Sequence, residues 1–201
     1  MKKPRTPFYI LSGDAPAKRK ILTAALDLFV RDGLSETSVR DIAQATGYTN
    51  PALFKHFPSK AALAEYLFER CYLELFRLVA EAGKAGQTFR VRQRAIIVAY
   101  MKALDNDRNA LLYVQENLRH FWPRMPAAVR KYSILAHVRT LLDEGRSQGV
   151  VTDEVDLGLL TAAWIGTLQQ FARARFFGEF TQPSKKILAT LENLLTRMVK
   201  K

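Results

Sequence analysis

The stretch Thr37–Lys60, TSVRDIAQATGYTNPALFKHFPSK, decides how the rest of this chain is read. Ser38 and Asp41 stand at the spacing of a capping box, so a short helix begins at Thr37 or Ser38 and carries Val39, Ile42 and Ala43 inward. Gly47 then stops it. A residue without a Cβ enters the left-handed conformation of a tight inter-helix turn without steric cost, and small Ala43, four residues earlier, lets a second helix cross closely. The turn runs to Thr49, which can cap the next helix, and Pro51 suits a first turn, where a missing N–H costs little. Leu53 packs back on Ile42 and Ala43, which leaves Asn50, Ala52, Lys55 and His56 facing out. That helix ends at Phe57-Pro58, before a further capped start at Ser59. A short exposed helix bearing Asn, Lys and His fits a DNA major groove. An ordinary helical hairpin can share part of this spelling; two caps, a proline at the helix start and the FPSK exit together favour a helix-turn-helix.

The same residues carry a family resemblance. GYTNPALFKHFPSKAAL, preceded by TSVRDIA, resembles the TetR family of bacterial transcriptional regulators almost position by position, over about Lys18 to Leu63. The resemblance implies that Thr37, Ser38, Arg40, Thr49, Asn50, Pro51, Ala52, Phe54, Lys55, His56 and Lys60 lie at the DNA, with Arg40 and Asn50 at base-contacting positions and Lys60 on a phosphate. Phe54 departs from the pattern: the family usually has a tyrosine there whose hydroxyl meets a phosphate.

Composition bounds the remaining choices. The chain has 201 residues, of which 48% are hydrophobic and 25% charged, enough for a sizeable core in one large or two small domains. Thirty-one basic against 19 acidic residues give +12, which suits a polyanionic partner. Residues 1–60 hold ten bases and five acids, so +7 lies outside the proposed head and charge alone does not place the partner. The single cysteine, Cys71, has no Cys or His at metal spacing and no internal disulfide partner; a reduced, cytoplasmic setting is expected. The longest apolar runs, such as AIIVAYM at 95–101, fall short of the ~18 residues of a membrane span, and no apolar signal core follows the basic N-terminus.

In chain order, residues 1–16, with three prolines and Lys2, Lys3 and Arg5, read as a flexible basic arm. Ile21, Ala24, Ala25, Leu28 and Phe29 then recur at helical spacing until Gly33, in a helix that braces the helix-turn-helix and whose Lys18, Arg19 and Lys20 could meet phosphates. A long helix runs from Ser59 to about Ala82, followed by helices near 88–105, 108–121 and 126–144. The helix near 88–105 is apolar on every side through Ala95–Met101 and reads as a central, buried one. After Gly149, the acids Asp153, Glu154 and Asp156 mark the start of a helix to about Phe177, with Ala162 and Gly166 on a line where a neighbouring backbone could approach. The last helix spans Pro183 to about Val199.

The expected fold is therefore all-α: an N-terminal three-helix helix-turn-helix head at 17–63 and a larger helical effector-binding and dimerisation domain at 64–201. The resemblance implies a homodimer through the last two helices, a double-stranded, near-palindromic DNA operator, and a repressor released by a small-molecule effector. The alternative is a C-terminal domain that binds a protein partner instead. Tyr100, Tyr113, Asn117, His137, Trp164 and Gln169, polar or aromatic among apolar helices, are the candidate effector pocket, although such groups are normally paired within a core anyway.

No enzyme, metal site or cofactor is expected. Gly145-Arg-Ser-Gln-Gly149 spells a nucleophile elbow around Ser147, but that motif needs a strand before it, and an amphipathic helix stands there. His120 and His137 have no second ligand at i+3 or i+4.

Overall fold

The computed structural model describes residues 6–201, so Lys2, Lys3 and Arg5 of the expected arm lie outside the described residues. The described chain is helical, without strands; a lone antiparallel bridge joins Val151 to Lys200. Its contacts fall into two compact units. One runs through Glu74 and takes in Asn109–Pro126; the other comprises Leu75–Arg108 and Ala127–Lys201.

In the first unit, α1 (Pro16–Arg31) buries Ile21, Leu22, Ala25, Leu26, Leu28 and Phe29 along one stripe. Against it lie α2 (Val39–Thr46) and, on α2, α3 (Asn50–Phe54). The first half of α4 (Lys60–Ala82) supplies Leu63, Ala64, Leu67, Phe68 and Cys71, all buried. From α5 (Phe89–Phe121) come Tyr113, stacked on Phe29 at 5.9 Å, and Phe121, 5.2 Å from Phe68. Each such large side chain removed from water contributes roughly 1.5–3 kcal/mol before chain entropy is counted.

Residues 6–15 are held against the first unit, unlike a loose tail. Tyr9 and Ile10 are buried, and Asp14, itself buried, accepts the Leu11 N–H at 2.8 Å and pairs with Arg70 at 3.3 Å and Lys18 at 3.6 Å. Arg19 donates to the Asp14 carbonyl at 2.7 Å and to that of Ser12 at 2.5 Å. Two apolar anchors and one paired carboxylate offset the ordering entropy that would otherwise leave the segment loose.

In the second unit, the first part of α5 buries Ile96, Ile97, Tyr100, Met101 and Leu104. The helices expected near 88–105 and 108–121 are one element with a non-helical residue, Asp107 (φ −141°, ψ 44°), between them. The helix expected at 126–144 is instead two, α6 (Ala127–Arg130) and α7 (Ile134–Ser147), because Ser133 takes an extended conformation and caps the Ala136 N–H. Gly145 lies inside α7 and is buried: a Cβ there would stand 2.5 Å from Val151 Cγ2 and 2.8 Å from Phe89 Cδ2. Gly149, at φ +70°, makes the turn after α7. The serine between these glycines is thus part of a helix end, exposed and bonded to the Asp143 carbonyl. Asp156 caps α8 (Leu157–Phe176) through the Leu159 N–H at 2.9 Å, and α9 (Ser184–Val199) folds back along α8. Among the described residues, no helix is long and apolar enough to cross a membrane.

Candidate nucleic-acid interface

The interface is built on α2 and α3. Ser38 and Asp41 form the reciprocal capping box: the Asp41 N–H reaches Ser38 Oγ at 3.2 Å, and the Ser38 N–H reaches Asp41 Oδ2 at 2.7 Å. That pair of Ser38 donors, backbone N–H and hydroxyl, holds the exposed Asp41 carboxyl below the usual carboxylate range. Gly47, at φ +68° and ψ 19°, ends α2, and the Tyr48 N–H returns to the Ala43 carbonyl at 3.1 Å. The reversal leaves only Tyr48 and Thr49 before α3. Thr49 accepts the Ala52 N–H at 3.4 Å, and Pro51 sits in the first turn, as its lack of an N–H allows. Leu53 and Ile42 are buried with Phe57 and Leu63, so α3 is held to α2 and α4 by apolar contact.

This packing turns one edge outward. Ser38, Arg40, Thr49, Asn50, Pro51, Lys55 and His56 are exposed, and Ala52 is half-buried. Phe54, 45% exposed, presents an aromatic ring to water from the same short helix. Between Thr49 and Lys60 there is no acidic residue, so nothing in that stretch repels a phosphate.

Two of the expected contacts are placed differently. Thr37 is only 2% exposed, and its hydroxyl donates to the Gly33 carbonyl at 2.8 Å. The Lys60 ammonium donates to the carbonyls of Leu34, Ser35 and Thr37 at 2.9, 3.2 and 2.8 Å, which engages all three of its N–H groups. Both residues therefore fix the loop that leads into α2. At the start of α1, Lys18 bonds Tyr66 Oη at 2.8 Å and Arg19 holds backbone carbonyls, while exposed Lys20 lies 5.5 Å from the centre of the Tyr48 ring. That last pairing, 28 residues apart, has no signal in the sequence.

The six expected effector residues are divided between the units. Tyr113, fully buried in the first, donates its hydroxyl to the Ala64 carbonyl at 2.9 Å; burial pushes this phenol well above its ordinary value. Asn117, in the same unit, donates to the Tyr113 carbonyl at 2.9 Å. Tyr100 and Trp164 are buried in the second unit, where His137 and Gln169 are half-buried. His137 meets Phe76 edge-on at 5.9 Å, and burial lowers its pKa. Among the described residues, no group of three or more His, Cys, Asp or Glu stands ready for a metal ion.

Residues 21–67, which span α1, α2, α3 and the start of α4, match the family of bacterial regulatory proteins named for TetR. Over that stretch the chain carries a helix-turn-helix of the TetR type. It is a DNA-binding transcriptional regulator with the helix-turn-helix of that family. Over 156 residues it is 26% identical to the HTH-type transcriptional repressor KstR2 of Rhodococcus jostii (strain RHA1), covering 74% of each chain. The fold of the ketosteroid transcriptional regulator KstR2 of Mycobacterium tuberculosis superposes with a TM-score of 0.81 at 18% identity, over 96% of this chain and 100% of that one. FadR of Bacillus subtilis in complex with stearoyl-CoA does so with a TM-score of 0.71 at 18% identity, over 90% and 98%.

Proposed function

We propose that this regulator is a homodimeric repressor whose head, residues 17–63, reads a near-palindromic double-stranded operator, and whose remainder, 64–201, binds a small-molecule effector and dimerises. What carries the reading is the outward edge of α2 and α3, with Arg40 and Asn50 exposed on helices capped by Ser38 and Thr49, Lys55 and His56 exposed just after α3, and no acidic residue from Thr49 to Lys60. Arg40 and Asn50 offer the donors that read base edges, while Lys55 and His56 add charge or hydrogen bonds to phosphates. Ser38, Thr49, Pro51, Ala52 and Phe54 complete the apposed surface; Thr37 and Lys60 act behind it by holding the loop into α2.

Support for the dimer comes from α8 and α9. Leu159 is 65% exposed, and Ala162 and Ala163 follow it on the same side with Gly166, whose missing Cβ faces open space; α9 adds Leu194, 51% exposed. An apolar line of small residues that a second backbone can approach is a liability in a monomer and an interface in a dimer. Two heads so joined must hold their α3 helices about 34–36 Å apart to enter successive major grooves. An effector releases the operator through its differential affinity for the two head spacings, and a hundredfold loss corresponds to about 2.7 kcal/mol of coupling. The stearoyl-CoA bound to FadR supports an apolar effector for this architecture.

Footprinting the DNA upstream of the regulator's own gene tests the proposal, with light scattering of the same sample. One protected near-palindrome and a dimer mass are expected. A monomer that protects nothing overturns it, and a protected site that yields only to a protein partner assigns the C-terminal domain to that partner instead.

A further inference from the structure

Within the second unit, two uncharged side chains hold enclosed N–H groups that have no acceptor; the Arg92 Nε–H is a third, charged one. Gln93 and Trp164 are each 1% exposed, and neither Gln93 Nε2 nor Trp164 Nε1 meets a hydrogen-bond partner. A buried donor without an acceptor is costly to keep, and such groups are rare in folded chains.

Their register places them in one layer. Asp105, late in the first part of α5, pairs with Arg175 near the end of α8 at 2.8 Å and accepts from Ser184 Oγ at the start of α9. Arg94 pairs with Glu192, so α9 runs antiparallel to this part of α5. Because α9 folds back along α8, α8 runs parallel to it. Twelve residues before Asp105 stands Gln93, and eleven before Arg175 stands Trp164; they lie roughly 18 and 16 Å along their helices from the shared ion pair.

We propose that Gln93 and Trp164 are the two donors that receive a neutral carbonyl oxygen, of a thioester or a ketone, on an otherwise apolar effector. This rests on the effector reading above and names the chemistry of that site. The donors are uncharged, and the cations nearest in sequence have their charge paired: Arg92, whose Nε–H is left without a partner, with Glu144 at 2.5 Å, and Arg94 with Glu192. A carboxylate or phosphate buried there would lack a counter-charge, whereas a carbonyl needs only the two N–H groups. Ile96, Ile97, Tyr100 and Leu168, all buried in this unit, supply apolar surroundings.

The test uses the full chain carrying Trp122→Phe, which leaves Trp164 as its sole indole. Stearoyl-CoA, its thioether analogue with CH₂ in place of the carbonyl, and 2-undecanone are titrated while Trp164 emission is followed. The thioester or the ketone should shift the emission; which of them does so tells the two carbonyl sources apart. Against the thioether, the thioester should bind roughly tenfold tighter, the effect of one or two buried hydrogen bonds. Gln93→Leu should abolish that preference and raise the melting temperature of the ligand-free protein by a few degrees, since it removes an unmet donor at nearly constant volume.

Equal binding of thioester and thioether, no binding of either carbonyl compound, or a lower melting temperature for Gln93→Leu overturns the inference. A different small molecule that releases operator DNA equally from the parent and from Gln93→Leu overturns it while the effector reading stands. A parent that no small molecule releases removes both.

Discussion

The two units differ in how they treat buried donors. In the first, the donors and the carboxylate that hold its parts together are answered in the chain: the Tyr113 hydroxyl on the Ala64 carbonyl, the Asp14 carboxylate between Arg70, Lys18 and the Leu11 N–H, the Lys60 ammonium on three loop carbonyls. In the second, Gln93 and Trp164 keep donors that the chain does not satisfy. Met polar groups fix one geometry, which a surface that reads base edges requires; unmet ones hold binding capacity for something the chain lacks.

The strongest way to break this contrast is to loosen the head. Leu53→Ala removes the buried side chain that ties α3 to α2, a change that costs about 2–5 kcal/mol in a close-packed core. Thermal denaturation should show the loss, and operator binding should vanish with it; a variant that melts like the parent would mean that α3 is held elsewhere. A smaller effect is expected from Arg70→Met, which strips Asp14 of one partner but leaves it the Leu11 N–H and Lys18. Destabilisation of about 1–3 kcal/mol should follow, since a partly uncompensated carboxylate remains buried. The opposite sign is expected for Gln93→Leu, and like signs at the two sites would remove the distinction between the units.

Lys60→Ala sharpens the same point. If the ammonium only holds the loop into α2, stability falls by about 1–2 kcal/mol and the salt dependence of DNA binding keeps its slope. A slope flattened by about one unit would place Lys60 on a phosphate after all. The smallest effect concerns pH. Burial, with Arg92 and Lys84 adding to it and Glu144 opposing, lowers the folded pKa of His137 below its ordinary 6.5. The folded state thus disfavours the protonated ring. The associated stability is complete above the unfolded value and declines as pH falls through it towards the folded one. Melting temperatures measured from pH 7.5 down to pH 5 should drop less steeply in His137→Gln than in the parent.

Local chemistry is what the sequence made legible. The Ser38–Asp41 box, the Gly47 turn, the Thr49 cap and Pro51 each act within a few residues, and each stands where the spelling places it. Long-range pairing left no such trace. Nothing in the sequence tells that Lys60 reaches back 23 to 26 residues to a loop, or that Tyr113 is bound 49 residues away at Ala64. Periodicity marked the apolar helices of the second unit but missed the break at Ser133, where a single hydroxyl cap divides what reads as one amphipathic run. Gln93 carries no signal in the sequence, since it precedes the apolar stretch by two residues; only its burial makes its amide conspicuous.

The central claim, that the outward edge of α2 and α3 selects a DNA sequence, is tested most directly by the affinity of Asn50→Ala for the protected upstream fragment and for unrelated DNA of equal length. Asn50 is exposed and packs on nothing in the core, so melting should not change. We predict that specific binding weakens by roughly 10- to 100-fold, the worth of a good base contact, while binding to unrelated DNA is unaltered. Equal loss on both DNAs, or no loss on either, would contradict the assignment of this edge as the reading surface.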